Sequence, residues 1–506
     1  MQGIDDFLIA LHQRGVELSA AGGRLCVEAA EGILLPEELN RLTALKSEIL
    51  TRLDQIELTA NAPLRRREPG QSIPLTTAQT LWWHGPLARG ARRSTRICAS
   101  AVRIAGVLNI DVLQQCLHSV LRRHESLRTN IHLLDGVPTP QVNPSGELCF
   151  EVEDQKARSL AVHDDGLMEL IKEFVARPID IAVEPLFGAK LFKLGGDDHV
   201  LVLAADHIVA DATSVRIIER ELWALYDHET AGRPLCLDDV AVQFADYAIW
   251  QQRIRPAWFF EHAAYWRQRM AGAPRPQLPI GDVPRAMLPM GAVATVPFTA
   301  AVSTLLREMA RRERTLVPLL VLTIYAAVMA RWCRRPDLLM TMVVDGRHQP
   351  QLQGMVGDFA YHLHLRLEVA DGVSFHDLLR QVTAEYGEAC RHEDFGWVPS
   401  FVPECRDSFV NVDWYFNWVT SQAAGPASAA HGQPGDVRRS KLPLQFKGPM
   451  RFLPYFVDDG EHILAVLRYG PGLFAPGEIE RLGRNLTRFA AALVDHPHRP
   501  VPEYQG

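Results

Sequence analysis

The chain has 506 residues, of which 47% are hydrophobic and 22% charged, and it carries a formal net charge of −7. This length predicts about three domain-sized units, and the mild acidity argues against nucleic acid as the main partner, which would require a basic face. The 8 cysteines form no CxxC pair, which argues against a zinc site or a disulfide framework and fits a reducing cytoplasm. The N-terminus lacks the cationic start of a signal peptide, and the longest apolar run, residues 316–330, predicts a buried core helix rather than a membrane span.

The N-terminal segment has a pattern of its own. Apolar residues at helical spacing predict a short helix over residues 4–14, and alternation on both sides of Gly22-Gly23 predicts a β-hairpin. Pro36 then opens a second helix whose apolar stripe reaches Leu53. A helix–hairpin–helix unit of this size is either an N-terminal cap or a peptide-docking module whose exposed strand edge pairs with a partner segment.

Residues 58–72 separate this unit from the rest of the chain. They lack hydrophobic periodicity and contain Pro63, Pro69 and the arginine run from Arg65 to Arg67. This composition predicts a linker. We expect the arginines to be solvated, with binding to an acidic partner tail as the alternative.

The remaining residues alternate between strand-like and helix-like segments. Apolar runs at 199–207 and 338–346 predict buried strands, whereas 214–227, 302–312 and 475–494 predict amphipathic helices. This order predicts a mixed α/β fold. The sequence contains no GxGxxG, no P-loop and no GxSxG elbow, so it gives no sign of a dinucleotide site, a nucleotide triphosphate site or a serine nucleophile.

A histidine and an aspartate follow the predicted strand at 199–207. They are His207 and Asp211, spaced as HxxxD. A neutral imidazole can accept a proton from an attacking amine or hydroxyl, and a buried carboxylate can pair with a cation and fix the loop that carries the histidine. The spacing alone also fits a core histidine beside a capping aspartate.

Several strings resemble the condensation domains of nonribosomal peptide synthetases, members of the chloramphenicol-acetyltransferase-like superfamily. Their number and order from residue 73 onwards carry the resemblance. The matching strings are Leu75–Trp82 (family pattern SxAQxRLW), Arg123–Thr129 (RHExLRT), Asp206–Ala212 (HHxxxDG), Phe244–Trp250 (YxDYAVW), Gly346-Arg347 with Met355–Phe359 (GR…VGxF), His392–Phe395 (HQDxPFE) and Phe416-Asn417 (FN). The N-terminal unit, residues 1–57, resembles the β-hairpin docking domains that precede such enzymes.

The resemblance implies an α/β fold with two acetyltransferase-like lobes, at 73–255 and 256–506, in a V-shaped pseudo-dimer behind a small α-ββ-α docking domain. A tunnel along the lobe interface admits the substrates. By the resemblance His207 is the catalytic histidine, the backbone N–H of Ala212 faces the developing oxyanion, and Asp211 is structural and pairs with Arg347.

Two positions depart from the family pattern. Asp206 replaces the first histidine and Ala212 replaces the glycine, and the oxyanion role of Ala212 requires a negative φ. Asp206, Asp211 and Ser214 also satisfy DxxxxDxxS, the signature of heterocyclisation domains, although those domains usually lack the retained His207. Ser214 itself is expected to cap a helix or bond a loop rather than act as a nucleophile.

Two further alternatives concern the donor and the activity. The string at 394–397, Asp-Phe-Gly-Trp, also resembles a motif of coenzyme A-dependent acyltransferases, but the docking-like N-terminus favours a carrier-bound donor. A non-catalytic recruiting role is the other alternative. His362 and His364 share one face of a predicted strand, and we expect them to line the tunnel or lie in the core rather than bind a metal, because no third ligand is evident.

The resemblance therefore implies a freestanding acyltransferase, similar to the chain-releasing condensation enzymes of the enacyloxin type. It would take an acyl, polyketide or peptidyl chain from the phosphopantetheine of an upstream carrier protein, with no cofactor or metal bound by the chain itself. An amine or alcohol would accept the chain directly, without a covalent enzyme intermediate. The carrier's C-terminal tail would dock on the hairpin at Gly22, Gly23, Arg24, Leu25 and Val27.

Overall fold

The N-terminal unit contains the predicted hairpin and helices. A computed structural model of the chain describes residues 4, 7–8, 11, 16–21, 24–29, 33–60, 62–84, 93–94, 97–156, 165–274, 277–280, 287–392, 414–420, 437–442 and 450–505. Strands β1 (Glu17–Ala21) and β2 (Arg24–Glu28) pair antiparallel, and Gly22-Gly23 lies outside the described residues. The predicted second helix is in fact two, α1 (Pro36–Ala44) and α2 (Lys46–Ala60), which meet at Leu45. The described residues of the predicted first helix pack with both elements in a small core of Phe7, Leu8, Leu11, Val16, Leu18, Leu42 and Ile49.

The predicted linker is attached to the folded domain. Ala62 and Leu64 are buried, and the indole N–H of Trp250 donates to the carbonyl of Ala62 over 2.6 Å. Arg65 and Arg66 are exposed as expected. The expectation of a solvated run is wrong for Arg67, whose guanidinium pairs with Glu125 at 2.8 Å and with the buried carboxylate of Asp246 at 2.9 Å.

The first lobe combines strands with helices that cover them. Asn109 caps the helix Ile110–Arg123 by accepting from the backbone N–H of Val112. Asp211 caps the helix Ala212–Ala231 by accepting from the backbone N–H of Ser214, as N-cap residues do. The helices are α3 (Thr77–His84), α4 (Ile110–Arg123), α5 (Asp165–Ala176), α6 (Ala212–Ala231) and α7 (Phe244–Met270). The strands are β3 (Arg93–Ser94), β4 (Ile97–Ala105), β5 (Thr129–Leu134), β6 (Val137–Val142), β7 (Cys149–Asp154), β8 (Ile179–Asp180), β9 (Phe187–Gly195) and β10 (Asp198–Asp206).

The second lobe is built around a buried helix. The apolar run predicted as a core helix forms α9 (Val317–Cys333), which is buried along nearly its whole length. The other helices are α8 (Ala300–Arg312), α10 (Phe375–Arg391) and α11 (Glu478–Asp495). The strands are β11 (Ala292–Pro297), β12 (Asp337–Val344), β13 (Tyr361–Glu368), β14 (Tyr415–Phe416), β15 (Trp418–Thr420), β16 (Arg438–Leu442), β17 (Phe452–Asp458) and β18 (Ile463–Tyr469).

Sheet topology links the two lobes. The largest sheet has the order β16-β4-β10-β9-β7, so β16 from the C-terminal half completes the sheet of the first lobe. The second lobe contains the sheets β11-β18-β17-β15 and β13-β12-β14. An apolar cluster also joins Phe244 and Tyr247 of α7 to Leu352, Met355 and Phe359 of the second lobe.

The described helices can be compared with the length and apolar content that a bilayer span requires. None of them alone is long and apolar enough to cross a bilayer, and α8 with α9 reaches that length and composition only as a pair bent by 114°.

Candidate active site

The HxxxD segment is a short loop between β10 and α6. Strand β10 ends at Asp206, which is buried, and its side-chain Oδ1 accepts from the backbone N–H of Ile208 at 3.0 Å. The Asp206 carbonyl accepts from the N–H groups of Val209 and Ala210, both at 3.1 Å. The residue in the position of the family's first histidine therefore shapes the turn that presents His207.

Two of the quoted motifs hold this loop from outside. The side-chain amide of Gln79 donates to the carbonyl of Ile208 at 2.8 Å. The hydroxyl of Ser126 donates to the carbonyl of Val209. The strings at 75–82 and 123–129 thus act on the loop through side-chain hydrogen bonds to its backbone, which fixes the direction of His207.

His207 faces a second carboxylate that the sequence analysis did not identify. Its Nδ1 lies 3.3 Å from Oδ1 of Asp358, whose side chain is 0% exposed, whereas the side chain of His207 is 28% exposed. The other oxygen of Asp358 accepts from the indole N–H of Trp82 at 2.8 Å, and the Trp82 ring lies 5.0 Å from the imidazole. Asp358 stands inside the string Met355–Phe359 quoted for the resemblance, but nothing in that string shows that its acid faces His207.

The electrostatics of this pair favour the charged imidazole. Burial lowers the pKa of His207, but the neighbouring side chains of Cys98 and Asp358 outweigh burial and raise that pKa well above its ordinary value. Burial raises the pKa of Asp358, and the imidazole offsets part of that rise. His207 can therefore hold a proton that it has taken from a reacting group, which is what a general base requires.

Asp211 and Arg347 form the expected ion pair across the lobes. The two guanidinium Nη atoms lie 2.7 and 3.0 Å from the Asp211 oxygens, and both side chains are 2% exposed. Asp211 also accepts from the backbone N–H groups of Ser214 at 2.7 Å and Phe359 at 3.2 Å. Burial raises the pKa of Asp211, but Arg347 and the hydrogen bonds from the backbone and hydroxyl of Ser214 lower it overall. The pair is therefore a structural tie between the start of α6 and the second lobe.

Ser214 completes this tie. Its hydroxyl lies 2.8 Å from both Asp211 Oδ1 and the Gly357 carbonyl, and it accepts from Gly357 N–H and Arg347, both at 3.0 Å. The hydroxyl is thus engaged in hydrogen bonds on every side. The glycine before Arg347 is also required, because Gly346 has φ +66° and a Cβ there would lie 2.2 Å from the Phe359 carbonyl oxygen.

Ala212 meets the conformational condition for an oxyanion contact. It is the first residue of α6, next to the N-cap Asp211, and it is not among the residues with positive φ. The N–H groups at the start of a helix have no intrahelical acceptor, and the helix dipole favours negative charge there. Replacement of the family's glycine by Ala212 therefore leaves a backbone donor in place.

The other predicted residues lie apart from this site. On β2 Arg24 is exposed, Leu25 packs against the N-terminal core and Val27 is 38% exposed. His364 of β13 is buried, which lowers its pKa to about 3, so it is a neutral core histidine. The described residues contain no group of three or more His, Cys, Asp or Glu arranged to hold a metal ion. The string at 394–397 lies outside the residues that the structure describes.

Comparison with known proteins identifies the family. Residues 70–423 match the condensation domain, which is more than half of the chain. The chain belongs to the condensation-domain family. Residues 4–55 match the TubC N-terminal docking domain, so the docking unit of this condensation domain is confirmed.

Relatives and solved structures agree with this assignment. Phosphinothricin tripeptide synthetase PhsC of Streptomyces viridochromogenes is 28% identical over 86% of this chain, and the chain spans 40% of the length of that protein. The structure reported for condensation domain-mediated chain release from the enacyloxin polyketide synthase matches with TM-score 0.64 and 22% identity, over 99% of this chain and 98% of that one. The X-domain in complex with OxyB from teicoplanin biosynthesis matches with TM-score 0.70 and 22% identity, over 88% and 98%. These structures confirm the predicted fold class.

Proposed function

We propose that this condensation domain transfers an acyl, polyketide or peptidyl chain from a carrier-bound phosphopantetheine thioester to an amine or hydroxyl. One observation carries the proposal. His207 is partly exposed at the end of β10, while Asp358, on its Nδ1 side, is fully buried. A partly exposed imidazole held by a buried acid is the arrangement of a general base that substrate can reach.

The reaction follows from the positions of these groups. The nitrogen or oxygen of the acceptor attacks the thioester carbonyl, and His207 takes the proton that this atom loses. The backbone N–H of Ala212 donates to the oxyanion, and the dipole of α6 favours the negative charge. The tetrahedral intermediate then collapses as its C–S bond breaks, and the proton held by His207 passes to the leaving thiolate. Asp211 and Arg347 do not touch the reacting atoms in this scheme and keep α6 in place.

The match to a docking domain supports a donor that arrives on another polypeptide. A partner tail that pairs with the hairpin would raise the local concentration of the loaded carrier. The similarity to the structure of condensation domain-mediated chain release from the enacyloxin polyketide synthase supports chain release. A hydroxyl acceptor also depends more on a base than an amine does, because an amine is the stronger nucleophile.

Intact-mass spectrometry of an acyl-loaded carrier tests this proposal. The carrier is incubated with the enzyme and a panel of amines and alcohols, and with an acyl-coenzyme A in place of the carrier as a parallel arm. We expect loss of the acyl mass from the carrier and a matching ester or amide product that depends on His207. Transfer from acyl-coenzyme A alone would contradict a carrier-bound donor, and a cyclised product would indicate heterocyclisation.

A recruiting role is the second candidate, favoured by Asp206 in place of the first motif histidine and by the likeness to an X-domain solved with OxyB. In this case the chain would bind the carrier and a second protein without turnover. Binding of the loaded carrier with no product from any acceptor would support this candidate, and His207-dependent product formation would exclude it.

A further inference from the structure

Trp82 lies on α3, beside the loop that carries His207. Gln79 and Trp82 stand three residues apart on this helix, so their side chains lie on one face. The side-chain amide of Gln79 donates to the carbonyl of Ile208 at 2.8 Å. The Trp82 ring lies 5.0 Å from the imidazole of His207, at an angle of 45°. One face of α3 therefore contacts both the backbone of the loop and the imidazole.

The carboxylate of Asp358 links Trp82 to His207. Its Oδ2 accepts from the indole N–H at 2.8 Å, and its Oδ1 lies 3.3 Å from Nδ1 of the imidazole. The backbone N–H groups of the residues before and after Asp358 donate to Ser214 at 3.0 Å and to Asp211 at 3.2 Å. Because the backbone is held on both sides, a rotation of the carboxylate would break both of its side-chain contacts at once.

This buried carboxylate needs donors to stay charged. The side chain of Asp358 is fully buried, and a charged acid in such a place is costly unless its oxygens have hydrogen-bond partners. Burial and the charge of Asp211 raise the pKa of Asp358, whereas the imidazole of His207 and the indole N–H of Trp82 lower it. Trp82 is a neutral donor, so it stabilises the carboxylate without adding a charge.

The position of the carboxylate selects one form of the neutral imidazole. A charged carboxylate can only accept hydrogen bonds, so the ring nitrogen that faces it carries the hydrogen. Nδ1 of His207 faces Asp358, which leaves the lone pair on Nε2, at the far side of the ring. The Trp82 ring also favours the imidazolium, because an aromatic ring within about 6 Å attracts a cation.

We propose that Trp82 is a positioning residue that acts on His207 through Asp358. Its indole N–H holds the carboxylate in place, the carboxylate keeps the hydrogen of the neutral imidazole on Nδ1, and Nε2 is presented to the acceptor. This inference rests on the proposed function, in which His207 is the base. Trp82 itself touches no reacting atom in this scheme.

Nitrogen NMR of the full-length protein tests this arrangement without relying on acyl transfer. The histidine rings are isotope-labelled, and the signals of His207 among the 19 histidines are assigned by their absence in His207→Ala. We expect the neutral imidazole of the wild type to carry its hydrogen on Nδ1. A hydrogen on Nε2 instead would overturn the proposal, and this result needs no variant of Trp82.

Two matched variants isolate the indole N–H. Trp82→Phe keeps an aromatic ring but loses the donor, so the pKa of His207 should fall by at least about half a unit. Trp83→Phe, at a neighbouring tryptophan that packs against the same apolar cluster, is the control and should leave that pKa unchanged. In the Asp358→Asn background Trp82→Phe should have no further effect, because the charge through which it acts is gone. An effect that persists in that background would overturn the action through Asp358.

Other ionisable groups near the pair stay constant in this comparison. Besides burial and Asp358, Cys98 of the neighbouring strand β4 affects the pKa of His207, and Asp211 affects that of Asp358. Neither group is altered in Trp82→Phe or Trp83→Phe. The difference between these two variants therefore reports the indole N–H.

Single-turnover transfer on the high-pH plateau connects the arrangement to the reaction. Trp82→Phe should be slower than Trp83→Phe by at least about threefold, because a weaker and less well oriented base takes the proton less readily. If Trp82→Phe does not fold, the position of the hydrogen on the wild-type imidazole still decides the proposal.

The outcomes separate this inference from the proposed function. If product formation depends on His207 but Trp82→Phe and Trp83→Phe share one His207 pKa, the positioning role is wrong and the proposed function stands. If the pKa falls as expected but no acceptor gives product, the positioning stands and the proposed function fails. If neither the shift nor any product is seen, both fail.

Discussion

Two buried aspartates flank the loop between β10 and α6, and their surroundings differ. Asp211 receives the guanidinium of Arg347 and two backbone N–H groups. Asp358 instead faces the imidazole of His207 and the indole of Trp82. The pKa of Asp211 is lowered because Arg347 outweighs burial, whereas burial raises that of Asp358.

This difference suggests a structural role for one aspartate and a role in proton transfer for the other. A carboxylate held by a buried guanidinium stays charged and resists change, so Asp211 connects the lobes. A carboxylate beside an imidazole raises the pKa of that imidazole, so Asp358 strengthens the tendency of His207 to accept a proton. Environments that push two acids in opposite directions often assign them opposite roles.

The largest expected effect is on the reacting side. His207→Ala should slow acyl transfer by about 10²–10⁴-fold, the usual contribution of general-base help, with carrier binding unchanged. Single-turnover transfer measured by mass spectrometry checks this, with binding followed separately. His118→Ala, at a histidine on α4 whose imidazole bonds the backbone carbonyl of Gln114 in the same helix, is the control and should transfer normally. Wild-type transfer by His207→Ala would refute the assignment of the base.

The next largest effect is on stability at the structural side. Asp211→Asn should lower the free energy of unfolding by about 3–5 kcal/mol, because it leaves the buried Arg347 without its charged partner. Asp371→Asn removes the partner of Arg331 in an ion pair whose acid is fully exposed, and it should cost less than about 1 kcal/mol. Denaturant unfolding of both variants makes the comparison, and equal losses would contradict it.

The same pair predicts a dependence on pH. Because the folded pKa of Asp211 lies below its unfolded value, its contribution is fully present above about pH 4 and is lost as pH falls through the folded pKa. The stability gap between wild type and Asp211→Asn should therefore narrow in acid. A gap that widened below pH 4 would show the opposite sign of coupling.

A smaller effect should appear in the pH dependence of transfer. The Asp358 charge favours the imidazolium, so the rate should rise with pH through an apparent pKa above the usual histidine value. Asp358→Asn should move this rising part of the pH–rate profile to lower pH by about one unit or more. Asp371→Asn changes the net charge equally but lies on the surface, so its pH–rate profile should match that of the wild type. An unchanged profile in Asp358→Asn would mean that Asp358 does not affect the pKa of His207.

The smallest effect should come from the docking unit. Val27→Glu on the exposed side of β2 should lower kcat/KM for the loaded carrier by at least about tenfold, because it weakens docking. A small acyl-pantetheine thioester should be turned over normally. Val107→Glu, at a residue 71% exposed outside the docking unit, is the matched control. Equal losses on both substrates would mean that the hairpin has a structural role.

Much of the structural side of the site follows from sequence. His207 and Asp211 stand in one short string, and Arg347 belongs to a second string that the family pattern connects to the first. Hydrophobic patterns likewise predict α6, α9, β10 and β12, because the residues that each of these elements buries stand close together in the sequence.

The reacting side is less visible in the sequence. Asp358 meets His207 only because the second lobe packs against the loop. That contact leaves no periodic signal in the sequence. The ion pairs of Arg67 and the pairing of β16 with β4 also join residues far apart in the chain. The sequence therefore predicted neither the attachment of the linker nor the strand that the C-terminal half adds to the first lobe.

A double-mutant cycle on His207 and Asp358 tests the central claim most directly. Single-turnover transfer is measured for wild type, His207→Ala, Asp358→Asn and the double variant, after each is shown to be folded. If Asp358 acts through the imidazole, its substitution should slow the wild type on the high-pH plateau, where His207 is unprotonated in both proteins, and should leave His207→Ala unchanged. Full, independent losses from both substitutions in the double variant would contradict the claim that they act as one unit.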